Sequence, residues 1–132
     1  MAVNEKVDQL RFFSELSIPR ECDVFLASGS LQYIEEKIPD ILKKLHRRPK
    51  HIIINMTPLH ENRQIITVNN MGVAYCPYKI AHKSEFIQDL EAEGWHIKDS
   101  WENTGKKCNI PFQDDCEGIK YYGFYLIDGV LR

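Results

Sequence analysis

The residues of this chain best placed to do chemistry follow two short apolar runs. Asp23–Ala27 ends in Ser28-Gly29-Ser30, and Ile52-Ile53-Ile54 ends in Asn55-Met56-Thr57-Pro58-Leu59-His60. Continuous apolar runs read as strands covered on both faces. In open α/β sheets, ligands bind outside the carboxyl ends of such strands, where the turn meets the next helix. Gly29 lets a ligand approach the backbone, and the free N–H groups of a helix start can meet a carboxylate. The plain alternative is that Ser28 or Ser30 simply caps that helix. Asn55 and Thr57 offer hydrogen bonds, and His60, with an ordinary pKa near 6.5, is a base if its ring points inward. A solvent-facing loop histidine and an Asn55 that satisfies its own turn are the plain readings of these positions. Tyr78, Trp101, Asn103 and Tyr122 can wall a pocket, although aromatics more often build core. Trp101 and Tyr122 stand out because they flank the last two expected strands.

Other chemistry is excluded by what the sequence lacks. It has no G-x-G, so the usual nucleotide-cradling turn is missing. Cys22, Cys76, Cys108 and Cys116 form no C-x-x-C pair and read as reduced, packed thiols. Cys108 and Cys116 are too far apart for a zinc knuckle and no histidine stands at ligand spacing from them, so no metal site is expected. The basic run from Lys43 to Lys50 falls at an expected helix C-terminus, where cations favour the dipole. It lacks interleaved aromatics, so nucleic acid is not the expected partner. The net charge of −2 gives no global drive toward nucleic acid or an anionic membrane. No apolar run approaches the length of a membrane span, and Met1–Arg11 is polar and mixed in charge. Neither a transmembrane helix nor a secretory signal is expected, and the default location is cytoplasmic. At 132 residues, the expected organisation is one domain over residues 1–132.

Hydrophobic periodicity supplies the elements that must position these residues. Asn4–Gln9 reads as a short polar helix and Leu10–Phe13 as a short strand. After the Ser-Gly-Ser turn, Leu31, Ile34, Ile38, Ile41, Leu42 and Leu45 recur at helical spacing. Pro39 predicts a kink or two abutting helices, with the proline in the first turn of the second. Ile65–Asn69 is an edge or insertion strand. Ser84–Glu93 is a helix with Phe86, Ile87 and Leu90 inward and Gly94 just past its end. Trp95–Trp101 and Ile119–Ile127 are strands with no helix between them, hence antiparallel neighbours, the second one apolar on both faces. Helices alternating with buried strands predict a mainly parallel sheet with helices on both faces.

Six motifs come in order: Ser28-Gly29-Ser30-Leu31-Gln32-Tyr33-Ile34, Ile53 to His60, Ile66-Thr67-Val68-Asn69-Asn70, Tyr75-Cys76-Pro77-Tyr78, Asp99-Ser100-Trp101-Glu102-Asn103 and Tyr121-Tyr122-Gly123-Phe124-Tyr125. Together they resemble the C-terminal part of a family of bacterial class I S-adenosylmethionine-dependent methyltransferases of unassigned substrate, of the kind associated with surface-polysaccharide gene clusters. The likeness covers residues 10 to 127. It implies a partial Rossmann-like α/β sheet ending in an antiparallel strand pair, and methyl transfer from S-adenosylmethionine to a small-molecule or sugar acceptor. It places Ser28, Gly29, Ser30, Gln32 and Tyr33 at the cofactor. Asn55, Thr57, Tyr78, Trp101, Asn103 and Tyr122 fall on the acceptor side, with His60 as the base. The family's Gly-rich turn and ribose-binding acid have no counterpart in the matched region. The alternative function is therefore a non-catalytic interaction module.

That gap has a structural corollary. Without a neighbour carrying the Gly-rich turn, the strand at Asp23–Ala27 is an apolar edge, a template for association. Leu10–Phe13 could cover it, or a second copy could pair with it across a two-fold axis. Four residues cover only part of that edge, so the expectation is a homodimer through Asp23–Ala27.

Overall fold

Burying one alternate set of side chains on two adjacent strands organises this protein. Ile52 stands opposite Leu126 and Ile54 opposite Phe124, and all four are almost fully enclosed. Side chains directly opposite on an antiparallel pair share a face, and each enclosed aliphatic stabilises the fold by about 1.5–3 kcal/mol relative to exposure. The computed structural model describes residues 11–15, 22–70, 72, 74–108, 110 and 118–129.

In chain order the elements are β1 (Val24–Ser28), a single 3-10 turn (Leu31–Tyr33), α1 (Ile38–Lys43), β2 (His51–His60), β3 (Ile65–Asn70), β4 (Tyr75–His82), α2 (Lys83–Ala92), β5 (Trp95–Glu102) and β6 (Ile119–Asp128). The sheet runs β3-β4-β2-β6-β5, with β1 also paired to β2. β1 and β2 are parallel from Val24–His51 to Ser28–Asn55. β4 reaches the same edge of β2 further along, also parallel, at Leu59–Ala81 and His60–His82. β2–β6, β3–β4 and β5–β6 are antiparallel.

This corrects the expected fold class. A six-stranded mixed sheet, mainly antiparallel, replaces the mainly parallel Rossmann-like sheet of the methyltransferase type. Among the described residues the helices do not cover both faces either. Ile38, Ile41 and Leu42 of α1 and Phe86, Ile87 and Leu90 of α2 pack into one cluster with Ile52, Ile54, Phe124 and Leu126, on a single face. The cause is the β3–β4 hairpin. Residues 75–82 form a strand where Pro77 argues against one, and Pro77 lies in the part of β4 that pairs only with β3. That hairpin carries a second cluster, Ile65, Tyr78, Ile80, Ile110 and Ile119.

Other expectations hold. The parallel pair at residues 24–28 and 51–55, the edge strand at residues 65–70 and the antiparallel β5–β6 pair are all present. Pro39 sits in the first turn of α1, behind the separate 3-10 turn, and Gly94 follows α2 at φ +89°. Arg11–Phe13 is not a strand, and Phe12 and Phe13 are exposed; Leu10, with the helix expected at 4–9, lies outside the described residues. β1 therefore pairs with β2 alone among the described strands, and its outward-facing Val24 and Leu26 are 48% and 66% exposed. No helix among the described residues is long and apolar enough to cross a membrane.

The decisive irregularity lies in the middle of β2. The register with β6 slips between Ile54 and Thr57, and Met56 has φ +54°. A bulge of this kind bends the strand and re-aims its side chains. It falls where β1 has left the edge of β2 and β4 has not yet arrived.

Candidate functional site

The stretch of β2 without a strand on that edge opens into a cleft of about 110 Å³. That is somewhat smaller than the ~150 Å³ that admits a benzene ring, but this cleft also opens to solvent. Its apolar lining comes from Leu31, Ile38, Pro39, Pro58, Ala81 and Phe86, and its polar lining includes Gln32, Thr57, Lys79, His82 and Glu85. Each polar group is delivered by a defined piece of backbone. Gln32 comes from the turn after β1, Thr57 from the far side of the bulge, Lys79 and His82 from β4, and Glu85 from the first turn of α2.

Two groups in this lining are energetically out of place. Gln32 and Thr57 are each 4% exposed, yet Gln32 Oε1 and Thr57 Oγ1 have no hydrogen-bond partner among the described residues. A buried polar atom left unpaired costs on the order of 1–3 kcal/mol. Native structures carry few of them, and each has a cause. The Gln32 side chain does reach the Tyr78 hydroxyl, so one end of its amide is held while the other stays unsatisfied.

The charged rim is largely self-paired. Lys37 meets Asp89 at 3.5 Å, Lys44 meets Glu36 at 2.6 Å, and His82 lies 3.7 Å from Glu85. Lys79 Nζ donates to the carbonyl oxygens of Glu35 and Glu36 at 3.3 and 3.2 Å. Burial pulls the Lys79 ammonium down from its ordinary value and the Lys37 charge adds to this, while Glu35 opposes it.

The other expected site residues are distributed as follows. His60 is fully enclosed and does not line the cleft. Its Nδ1 accepts the backbone N–H groups of Asn62 at 2.9 Å and Arg63 at 3.2 Å, so it fixes the turn after β2. Gly118 packs so closely on the ring that an added Cβ would stand 2.8 Å from Nε2. Tyr78 is buried, its hydroxyl 2.5 Å from that of Tyr121, with Tyr33 edge-on at 5.4 Å. Burial raises both hydroxyls of the Tyr78–Tyr121 pair above the ordinary phenol range. Tyr122 donates to Glu61 Oε1 at 2.7 Å beneath Lys83. That hydrogen bond lowers the Glu61 carboxyl, and burial raises the Tyr122 phenol.

Asn55 and Trp101 do meet, but on the opposite side of the sheet from α1 and α2. Trp101 Nε1 donates to Asn55 Oδ1 at 2.9 Å, with the indole laid over Gly123. Asn103 Oδ1 is also buried without a partner, next to β6 rather than in the cleft. Of the expected residues, then, the cleft unites only Gln32 and Thr57.

The Ser28-Gly29-Ser30 turn does not fit S-adenosylmethionine. Gly29 N–H is spent on the Asn55 carbonyl at 3.0 Å, Ser28 faces outward, and of the five expected cofactor residues only Gln32 lines the cleft. The helical segment after β1 is one 3-10 turn, too short to present a helix dipole. Among the described residues no three metal-ligating side chains converge. The basic run is matched locally: Lys43 with Glu93, Lys44 with Glu36, Arg47 and Lys50 with Asp23, and Arg48 forked on Asp128 over Trp95.

Sequence reasoning missed Lys79, His82 and Glu85. From sequence no element was assigned to residues 75–82, and the strand there delivers Lys79 and His82 to the cleft. The chain matches no model of a known protein family and no curated protein.

Proposed function

We propose that this protein binds a small, uncharged, hydroxyl-bearing molecule of the sugar type in the cleft beside the β2 bulge. The observation that carries this reading is the pair of buried, unpartnered oxygens, Gln32 Oε1 and Thr57 Oγ1, in one lining. Gln32 Oε1 only accepts, and the two hydrogen bonds of Lys79 are committed to backbone carbonyls. The bound molecule must therefore bring donors. Phe86, Pro39 and Pro58 offer apolar surface to the C–H face of a ring, the usual combination of an apolar wall with a few placed polar groups.

The reaction such binding serves is methyl transfer to one of the bound hydroxyls, as the order of the six motifs implies. What supports this is that Gln32 and Thr57, expected on the two sides of that transfer, share one cleft. The donor's own site is not built from this cleft.

Saturation-transfer NMR with glucose, galactose and N-acetylglucosamine tests the binding. Signal transfer to at least one sugar, lost in Thr57→Val and in Gln32→Leu, is expected, and added S-adenosylhomocysteine does not displace it. No transfer to any sugar, or transfer unchanged in both variants, rejects the reading.

A further inference from the structure

We propose that Met56 is the positioning residue of the cleft, its left-handed backbone forming the bulge that turns the Thr57 hydroxyl toward the ligand. This rests on the reading that the cleft holds a hydroxyl-bearing molecule. Among the described residues Met56 is the one non-glycine with a positive φ, +54°. L side chains seldom adopt that conformation, and where one does the strain tends to sit at functional sites.

The register shows what the bulge does. Ile54 stands opposite Phe124 and Thr57 opposite Tyr122, three steps along β2 against two along β6, so β2 carries one extra residue. In a regular strand Thr57, three residues after Ile54, would face away from α1 and α2. Instead it lines the cleft beside Ile38 and Phe86, and Leu59 joins the cluster that holds Ile54. The ladder does not require the extra residue. With Met56 removed, Asn55 would stand opposite Gly123, and the Ile54–Phe124 and Thr57–Tyr122 pairs would both persist. Nor does the Asn55–Trp101 bond on the other side of the sheet require it, because Asn55 is still in regular parallel register with Ser28. The bulge falls between the last pair with β1, Ser28–Asn55, and the first with β4, Leu59–Ala81. Two costs thus meet in consecutive residues at the cleft: the backbone of Met56 and the buried Thr57 hydroxyl, unpartnered among the described residues. A bulge that re-aims a side chain at a binding site accounts for both.

Deleting Met56 from the full chain tests this, beside Met56→Gly, which adopts a positive φ freely, and Met56→Val, which resists it. Affinity is read by NMR titration with whichever of glucose, galactose and N-acetylglucosamine binds the parent, and stability by urea unfolding. The deletion is expected to keep its fold and lose affinity by at least about tenfold. Met56→Val is expected to bind several-fold more weakly than the parent, and Met56→Gly to restore parental affinity. Without ligand, Thr57→Val is expected to raise the urea midpoint in the parent and in Met56→Gly, and to leave it unchanged in the deletion. A deletion that binds sugar as the parent does, or in which Thr57→Val still gives its full gain, overturns the proposal. So does Met56→Gly binding no better than Met56→Val, because the side chain and not the backbone then matters. If the deletion does not fold, the glycine and valine variants decide by the same two readouts. If no sugar binds the parent, the sugar reading of the cleft falls, while the Thr57→Val gain across these variants still decides whether Met56 sets the hydroxyl.

Discussion

Replacing Thr57 by valine should stabilise this protein while removing its binding. Thr57 is 4% exposed and its hydroxyl has no partner among the described residues. Valine keeps the β-branched shape that suits a strand and exchanges the hydroxyl for a methyl of similar size. The desolvation cost of an unmet hydroxyl, on the order of 1–3 kcal/mol, is thereby relieved. Allowing for imperfect shape, a gain of about 1–2 kcal/mol is expected without ligand. For a domain of this size that corresponds to roughly 4 °C in Tm per kcal/mol. Urea unfolding should show a higher midpoint with an unchanged slope, since the buried surface is the same. Sugar binding should fall at least tenfold, from the loss of a hydrogen bond worth about 1.4 kcal/mol or more. A variant less stable than the parent by about 1 kcal/mol would show the hydroxyl already satisfied in the free protein. A stabilised variant with unchanged binding would show that the ligand does not use it. Either result refutes the reasoning.

Three further outcomes follow from the packing. Gly123→Ala places a Cβ about 2.1 Å from Trp101 Nε1 and Cε2, so the indole must lift and break its bond to Asn55. A cost of about 2–4 kcal/mol and a red-shifted tryptophan emission are expected, and unchanged emission contradicts the stacking. Burial raises the Tyr78, Tyr121 and Tyr122 phenols. The unfolded chain therefore releases those protons first, and their contribution to stability is complete below about pH 10 and lost as pH rises above it. Phenolate absorbance from these three should appear together with loss of far-ultraviolet dichroism; ionisation within an intact fold refutes the assignment. Leu26, 66% exposed on a strand with β2 as its described partner, should support pairing with a second copy. Light scattering should report a dimer that Leu26→Lys converts to monomer, and a parent that is already monomeric rejects the interface.

Where burial pattern and turn chemistry agreed, the sequence was readable. Apolar residues 24–27 and 52–54 paired in parallel as expected, because each run is short, aliphatic and ended by a turn or a bulge. β5 and β6 followed from the lack of a helix between them. The hairpin of residues 65–82 was not readable, since Pro77 argues against a strand there, and with β4 went the antiparallel β3–β4 pair. The site divides along the same line. Gln32 was found because it lies just past the end of β1, and Thr57 because it lies just past the stretch of β2 that pairs with β1. Lys79, His82 and Glu85 were not, because their placement depends on the hidden strand. His60 was misplaced for a different reason: the bulge at Met56 extends β2 through it and turns an expected loop histidine into core.

The most direct test of the cleft is the side-chain amide signal of Gln32 in a proton–nitrogen correlation spectrum during sugar titration. The Gln32 side-chain amide and the Thr57 backbone amide are expected to shift together and saturate with one affinity, while Trp101 Nε1–H on the other side of the sheet stays still. Shifts at Trp101 with Gln32 and Thr57 unmoved would place the ligand elsewhere and contradict it.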